Sequence, residues 1–455
     1  MVTDQKNNQM PKQIGYIIGN EASERFSFYG MRSILVIFMT QYLLLQEHRA
    51  KEVFHLFAFA NYFIPVFGAV LADRFLGRYK TILYLSLFYC VGHGILAVFE
   101  SETGLYAGLF FIAVGAGGIK PCVSALVGDQ FDRSNQHLLD KVYSIFYFSI
   151  NFGSFFSTLL IPWTLKLYGP GLAFGIPGIL MGVATLIFWL GRNAYVVVPP
   201  SSEGSRFLPV ILYALTHQKD RQPGQRFLQV AETKFSKSQV EGVQAVLSIF
   251  AVFVATTGFW ALYDQHGASW VLQAEKMDRY VLGFHLESSM VPAINPILVM
   301  TLLPLFSFGL YPWIEKCGIR TTPLRKMGAG MVLIAVSFVW VGMLQSRIDA
   351  GETVNVVWQL GPWAILTAAE VMVSVTGLSF AYTQAPKEMK STIMSLWLMT
   401  TAFGNLLTAV VSRLNPFQSG AMEFYFYAGL MLLVAIGFMV MAMRYQEQAY
   451  IAGDT

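Results

Sequence analysis

The sequence predicts an all-α membrane protein of twelve transmembrane helices, on three observations. Of its 455 residues 55% are apolar and only 13% charged, with a mean hydropathy of +0.51, a balance that a water-soluble fold of this size does not keep in solution. Apolar runs of about 20 residues, the length needed to cross a bilayer, recur from one end of the chain to the other. Between them, Lys and Arg fall unevenly on alternate loops, as they do in chains threaded through a membrane.

Spans are expected at 14–44, 53–73, 80–99, 104–127, 142–162 and 172–192. After a polar stretch come six more, at 243–272, 291–313, 326–345, 358–383, 391–413 and 422–443. The chain therefore divides into a six-helix bundle (1–194), a linker (195–242) and a second six-helix bundle (243–455). Within the linker, Phe207 to Thr216 is apolar but too short to span, and is expected to be an interfacial or amphipathic piece. Met1 to Lys12 lack a cleavable leader pattern, so insertion is expected to rely on the first span.

The loops on the side of the chain ends carry Arg74, Arg78, Lys80, Arg133, Lys141, Lys316, Arg320, Arg325, Lys326, Lys387 and Lys390, and the linker adds more. The opposite loops carry Arg49, Lys51, Lys166, Lys276, Arg279 and Arg347. Both termini and the linker are accordingly expected in the cytoplasm. The formal charge of +4 does not imply nucleic acid, because the basic residues are spread singly between apolar runs. Cys90, Cys122 and Cys317 lie far apart with no metal-ligand spacing, which suggests neither disulfides nor zinc. Two six-helix halves joined by a cytoplasmic linker form the pattern of major facilitator transporters, whose substrate site lies between the halves.

Charges inside spans localise function, because one at mid-bilayer costs about 2.5–3.5 kcal/mol even on the mildest scale. The first span holds four. Glu21, Glu24, Arg25, Phe28 and Arg32 recur at three, four and seven residues and share one side of a helix, which must face a polar interior. Lys120 follows Gly115-Ala116-Gly117-Gly118-Ile119, small residues that permit close helix packing while the ammonium points inward or reaches back to the interface. Glu370 stands alone near the middle of 358–383, as a functional carboxylate or a neutral acid bonded to a neighbouring helix. Asp264 and His266 end an apolar run and are expected nearer an interface, and His55 opens the second span. Asn61, Tyr62, Tyr147, Asn151 and Asn295 are polar groups in apolar helices; singly each reads as glue between helices, and together with charges of both signs they suit a zwitterion.

These residues also fall into motifs. Glu21-x-x-Glu24-Arg25-Phe26-x-Phe28-Tyr29-Gly30 resembles the first-helix signature of the proton-dependent oligopeptide transporters, within the major facilitator superfamily. The segment from Gly68 through Asp73, Gly77 and Lys80 is similar to that family's loop between helices two and three. Gly118-Ile119-Lys120-Pro121 with Asp129-Gln130-Phe131, and Phe146-Tyr147 with Asn151-Phe152-Gly153, are similar to its fourth- and fifth-helix signatures. Phe259-Trp260 with Asp264-Gln265, Thr376-Gly377 with Ser379-Phe380, and Tyr382-x-Gln384-Ala385-Pro386 lean toward the animal peptide transporters, as does His55, ten residues before Pro65. Phe28 departs from the pattern, standing where the family usually has a tyrosine.

The resemblance implies a proton-coupled symporter of di- and tripeptides that works by alternating access. It implies that Arg25 and Lys120 hold the peptide carboxylate with Arg32 nearby, and that Glu370, Asn151 and Asn295 hold the amino terminus. Glu21 and Glu24 would take the coupled proton by breaking and remaking pairs with Arg25 and Lys120, with Asp264 and His55 as further coupling candidates. Tyr29, Tyr62, Tyr147, Trp260 and Trp397 would line side-chain pockets. No catalytic residue, metal or cofactor other than the proton is expected, and no enzyme; a functional monomer in the plasma membrane is. A non-transporting peptide receptor, or a proton-coupled carrier of another small anion such as nitrate, remains open as a reading of the sequence.

Overall fold

Greasy runs become helices because lipid offers no partner to backbone N–H and C=O groups, which must then bond within their own segment. The computed structural model describes residues 10–131, 135–200, 207–222, 224–384 and 390–445. In the first half α1 (Ile14–Ile37) continues through a π turn at Phe38–Tyr42, and α2 (Glu47–Leu71) through another at Ala72–Leu76. They are followed by α3 (Arg78–Val98), α4 (Glu102–Asp129), α5 (Leu139–Tyr168) and α6 (Pro170–Leu190). The short α7 (Phe207–Thr216) forms where the interfacial piece was expected, and it packs against α8 through Val210 and Ala214.

In the second half α8 (Lys237–Tyr263) passes through a 3-10 turn at Asp264–Gly267 into α9 (Ser269–Glu275). α10 (Ile294–Pro304) runs through a π turn at Leu305–Leu310 into α11 (Tyr311–Lys316), and α12 (Pro323–Asp349) follows. α13 (Leu360–Glu370) joins α14 (Thr376–Thr383) by a π turn at Val371–Val375, before α15 (Lys390–Leu414) and α16 (Gly420–Arg444). Serines start several of them: Ser101 and Ser419 accept the N–H three residues on, and Ser236 with Gln239 closes a capping box.

Among the described residues ten helices are long and apolar enough to cross a membrane, and the pair Lys237–Phe250 and Val252–Glu275, bent by 40°, makes an eleventh. The twelfth is the first helix, whose own charges set it apart from the apolar ones. This is the twelve-helix major facilitator fold. Sequence reading did not anticipate the hairpin between α9 and α10, β1 (Tyr280–Val281) and β2 (Phe284–His285), whose two-residue turn has Leu282 at φ 50° and Gly283 at φ 86°. Arg133, Ala385, Pro386 and Lys387 lie outside the described residues.

One buried apolar cluster is formed by α1–α6 with Ala268, Val271 and Leu272, and a second by residues of α7–α16. Small residues set the spacing inside the first. A Cβ on Gly68 would lie 2.6 Å from the Gly117 carbonyl oxygen, and one on Gly115 2.8 Å from the Leu85 carbonyl oxygen, so α4 touches α2 and α3 nearly backbone to backbone.

Ion pairs between the first six spanning helices and the rest are unevenly placed. Glu47–Lys276, Lys51–Glu423, Glu52–Arg413 and Lys166–Glu287 all lie at the end where α1 and α5 finish, here termed the distal end. At the opposite, proximal end, the pairs among the described residues stay within one half, as in Arg78–Asp129 and Lys237–Glu241.

Candidate functional site

Between the two sets of helices lies a cavity of about 250 Å³, walled by α1, α2, α5, α8, α10 and α13. Of the residues expected at a site, Tyr29, Arg32, Tyr62, Tyr147, Asn151, Trp260, Asp264, Asn295 and Glu370 line it together. Helix geometry explains part of this convergence. Tyr29 and Arg32 are three apart on α1, Tyr147 and Asn151 four apart on α5, and Trp260 near the end of α8 is four before Asp264, which opens the 3-10 turn.

One wall is acidic. Glu370 ends α13 just before the π turn, and its Oε2 accepts from Asn295 Nδ2 at 2.8 Å; the same amide reaches Thr367 Oγ1 at 3.2 Å. The carboxylate is thereby aimed by a residue of another helix. Asn151, across the cavity on α5, donates to the Tyr147 carbonyl of its own helix.

The facing wall carries an ion pair: Arg32 Nη2 lies 2.6 Å from Asp264 Oδ1, joining α1 to the end of α8. Two expectations are corrected here. Asp264 is not near an interface, because the chain continues through the 3-10 turn and α9 to Glu275; it is buried, at 2% exposure. His55 is not at the start of its helix, because α2 begins at Glu47, and it is fully enclosed. Asn405 Nδ2 donates to Asp264 Oδ2 at 2.6 Å and its Oδ1 faces His55 Nδ1 at 2.8 Å, so α2, α8 and α15 meet in one chain of polar contacts.

The remaining expected residues stand one layer behind the wall. Arg25 Nε lies 2.9 Å from Glu21 and 2.7 Å from Glu24, all three buried. Lys120, expected to exchange pairs with these acids, instead lies over aromatic rings, 4.1 Å from the centroid of Phe28 and 5.1 Å from that of Tyr62. The ring faces hold the ammonium by cation–π attraction, and Phe28, which lacks the family's hydroxyl, is the closer of the two. Trp397 is buried against Phe253 and edge-on to Trp260 at 6.5 Å, away from the cavity surface. His266 does line it, with Nδ1 2.6 Å from the Tyr263 carbonyl.

Sequence reading missed Ser33, Ser154, Thr158, Tyr263 and Ser374 on the wall, and Asn405 behind it. Asn405 was within reach: it is an amide in an apolar span, the same signal that singled out Asn61, which turns out to bond the Phe57 carbonyl of its own helix. A further correction concerns Lys51, counted with the loops. It lies inside α2, buried, with Nζ 2.5 Å from Glu423 Oε2.

The cleft between the two helical halves carries charges of both signs. The POT family model matches residues 79–421, and the chain belongs to this family of proton dependent oligopeptide transporters. It is 38% identical over 358 residues to Peptide transporter family 1 of Drosophila melanogaster and 36% identical over 360 residues to Solute carrier family 15 member 2 of Homo sapiens. Each alignment takes in 74% of this chain, which spans about half the length of these curated relatives, 48% and 49%. A crystal structure of the POT family transporter PepTSo superposes with a TM-score of 0.91 at 42% identity, covering 97% of this chain and 99% of that one. An auto inhibited POT family peptide transporter superposes with a TM-score of 0.90 at 39% identity, covering 98% and 99%.

Proposed function

We propose that the protein is a proton-coupled symporter of di- and tripeptides. The observation that carries this reading is the pairing of an acidic wall, Glu370 aimed by Asn295, with a cationic one, Arg32 held by Asp264, across a single cavity. A free peptide has an ammonium and a carboxylate at its two ends, and these walls offer each end the opposite charge. The names of two relatives, Peptide transporter family 1 of Drosophila melanogaster and Peptide transporter 3 of Caenorhabditis elegans, support the same reading.

In this proposal the ammonium binds Glu370 with Asn295 and Asn151. The carboxylate competes with Asp264 for Arg32 and draws Arg25 and Lys120 forward from behind Tyr29 and Tyr62. Releasing Glu21 and Glu24 from Arg25 lets one of them take the coupled proton; Asp264 and His55 are coupled to the same event through Arg32 and Asn405. Tyr29, Tyr62, Tyr147 and Trp260, with Trp397 behind, accommodate the side chains. The halves 1–194 and 243–455 rock about this site, joined by the linker 195–242. Both termini lie in the cytoplasm and the distal end faces outward, in the cell membrane, with the protein working as a monomer.

The test is uptake of a labelled dipeptide into proteoliposomes under an inward proton gradient. Concentrative uptake that a protonophore collapses, and that Glu370→Gln and Arg32→Ala abolish, is the expected result. Binding without accumulation would replace the symporter with a receptor, and competition by nitrate would replace the peptide with a small anion.

A further inference from the structure

The distal closure contains two buried ion pairs of different kinds. Arg32–Asp264 faces the cavity, where a bound carboxylate can compete for it. Lys51–Glu423 does not line that cavity. It lies toward the distal surface, where α2 of the first half reaches α16 of the second at 2.5 Å, with both side chains 11% exposed. The other pairs that join the halves here are more open: Glu47 and Lys276 are each nearly half exposed, as is Lys166, and Arg413 stands 3.7 Å from Glu52. Exposed pairs contribute little and are screened by salt, whereas separating a buried pair strands a charge in a poorly solvated place. Glu423 already has one oxygen, Oε1, buried without a hydrogen-bond partner, so Lys51 is the main compensation for its charge.

We propose that Lys51–Glu423 is a cargo-independent latch on the distal end. It must break each time that end opens, and so it sets how often the empty carrier opens there. The inference rests on the alternating-access reading above but not on the identity of the cargo. Around the latch lie Glu47, His48, Lys276 and Asp349, which share a polar pocket of about 230 Å³ with it. When the pair parts, water entering through this pocket solvates both charges, which keeps the latch reversible.

The test uses Thr158→Cys as a reporter, a buried position on the cavity wall, in a protein whose Cys90, Cys122 and Cys317 are replaced by serine. The rate at which a membrane-impermeant maleimide labels it from the distal side, without peptide, measures distal opening. Lys51→Met and the milder Glu423→Gln should each raise that rate by roughly tenfold, and the exchanged pair Lys51→Glu with Glu423→Lys should return it to within about twofold of the parent. A loss of packing alone would not be repaired by exchanging the charges. Parental labelling in both single variants, or an exchanged pair that labels as fast as they do, would overturn the latch. Because labelling needs no cargo, failure of peptide uptake with this pattern intact would count against the substrate and leave the latch standing.

Discussion

Asn405 donates to Asp264 at 2.6 Å, and this one contact fixes which way its amide faces. With the nitrogen committed to a carboxylate, the oxygen is what meets His55 Nδ1 at 2.8 Å, so the imidazole carries its proton on Nδ1. His55 Nε2 is buried without a partner. The histidine and the aspartate are thus linked through an amide that can pass on a change of geometry but not a proton.

Replacing Asn405 by leucine should therefore separate the two ends of this chain while leaving Arg32–Asp264 in place. Proton-driven uptake is expected to fall about tenfold or more, and peptide exchange at equal pH much less, since a buried acceptor and donor each lose their partner. Equal losses in the two assays would show that Asn405 is only a packing residue.

Asp264→Ala should destabilise the closed distal end. It leaves Arg32 buried opposite no charge, a change that costs about 3–5 kcal/mol when a buried pair loses one member. Asp264→Asn should cost less, because its oxygen still accepts from Arg32. Thermal unfolding of the purified protein in detergent, together with labelling of Thr158→Cys from the distal side, measures both parts of the effect.

Glu370→Gln tests the acidic wall. Loss of a charged acceptor is worth about 1.5–3 kcal/mol, so affinity for a dipeptide with a free amino terminus should drop roughly 10- to 100-fold. An N-acetylated dipeptide, which has no ammonium to lose, should compete almost as it does with the parent protein. Equal losses for both ligands would place the ammonium elsewhere.

Gly68→Leu should lower the melting temperature and the yield of folded protein. The new side chain begins within 2.6–2.7 Å of backbone atoms of Gly117 and Gly118, where no rotamer can relieve the clash, and overpacking of this kind costs about 1–3 kcal/mol or more. Gly94, with open space at the same test, should accept alanine with little change.

Much of the fold was legible because spanning helices need a fixed length of apolar chain, and each of the twelve overlaps its expected run. The site was legible wherever polarity was locally out of place: Glu370 and the first-helix charges announce themselves against their neighbours. What the sequence could not supply was partnership. Nothing local to Arg32 points to Asp264, 232 residues away, and nothing local to Lys51 points to Glu423, 372 residues away. Hence Lys51 reads as a loop residue and Asp264 as a coupling candidate nearer an interface. The π turns escaped for another reason. A single extra residue per turn, as after Glu370, leaves composition unchanged and disturbs periodicity over only a few positions.

The glycine contacts that join α2 to α4 have a mechanical consequence. Where side chains separate two helices, a pull on one is absorbed by rotamer changes before it reaches the other. Here backbone meets backbone, so α2 and α4 act as a single beam with Lys51 at one end of α2 and Lys120 partway along α4. In the proposed cycle, release of the distal end would be transmitted as displacement, not dissipated as local rearrangement, and the stiffness of that beam would set the leverage one end has over the other.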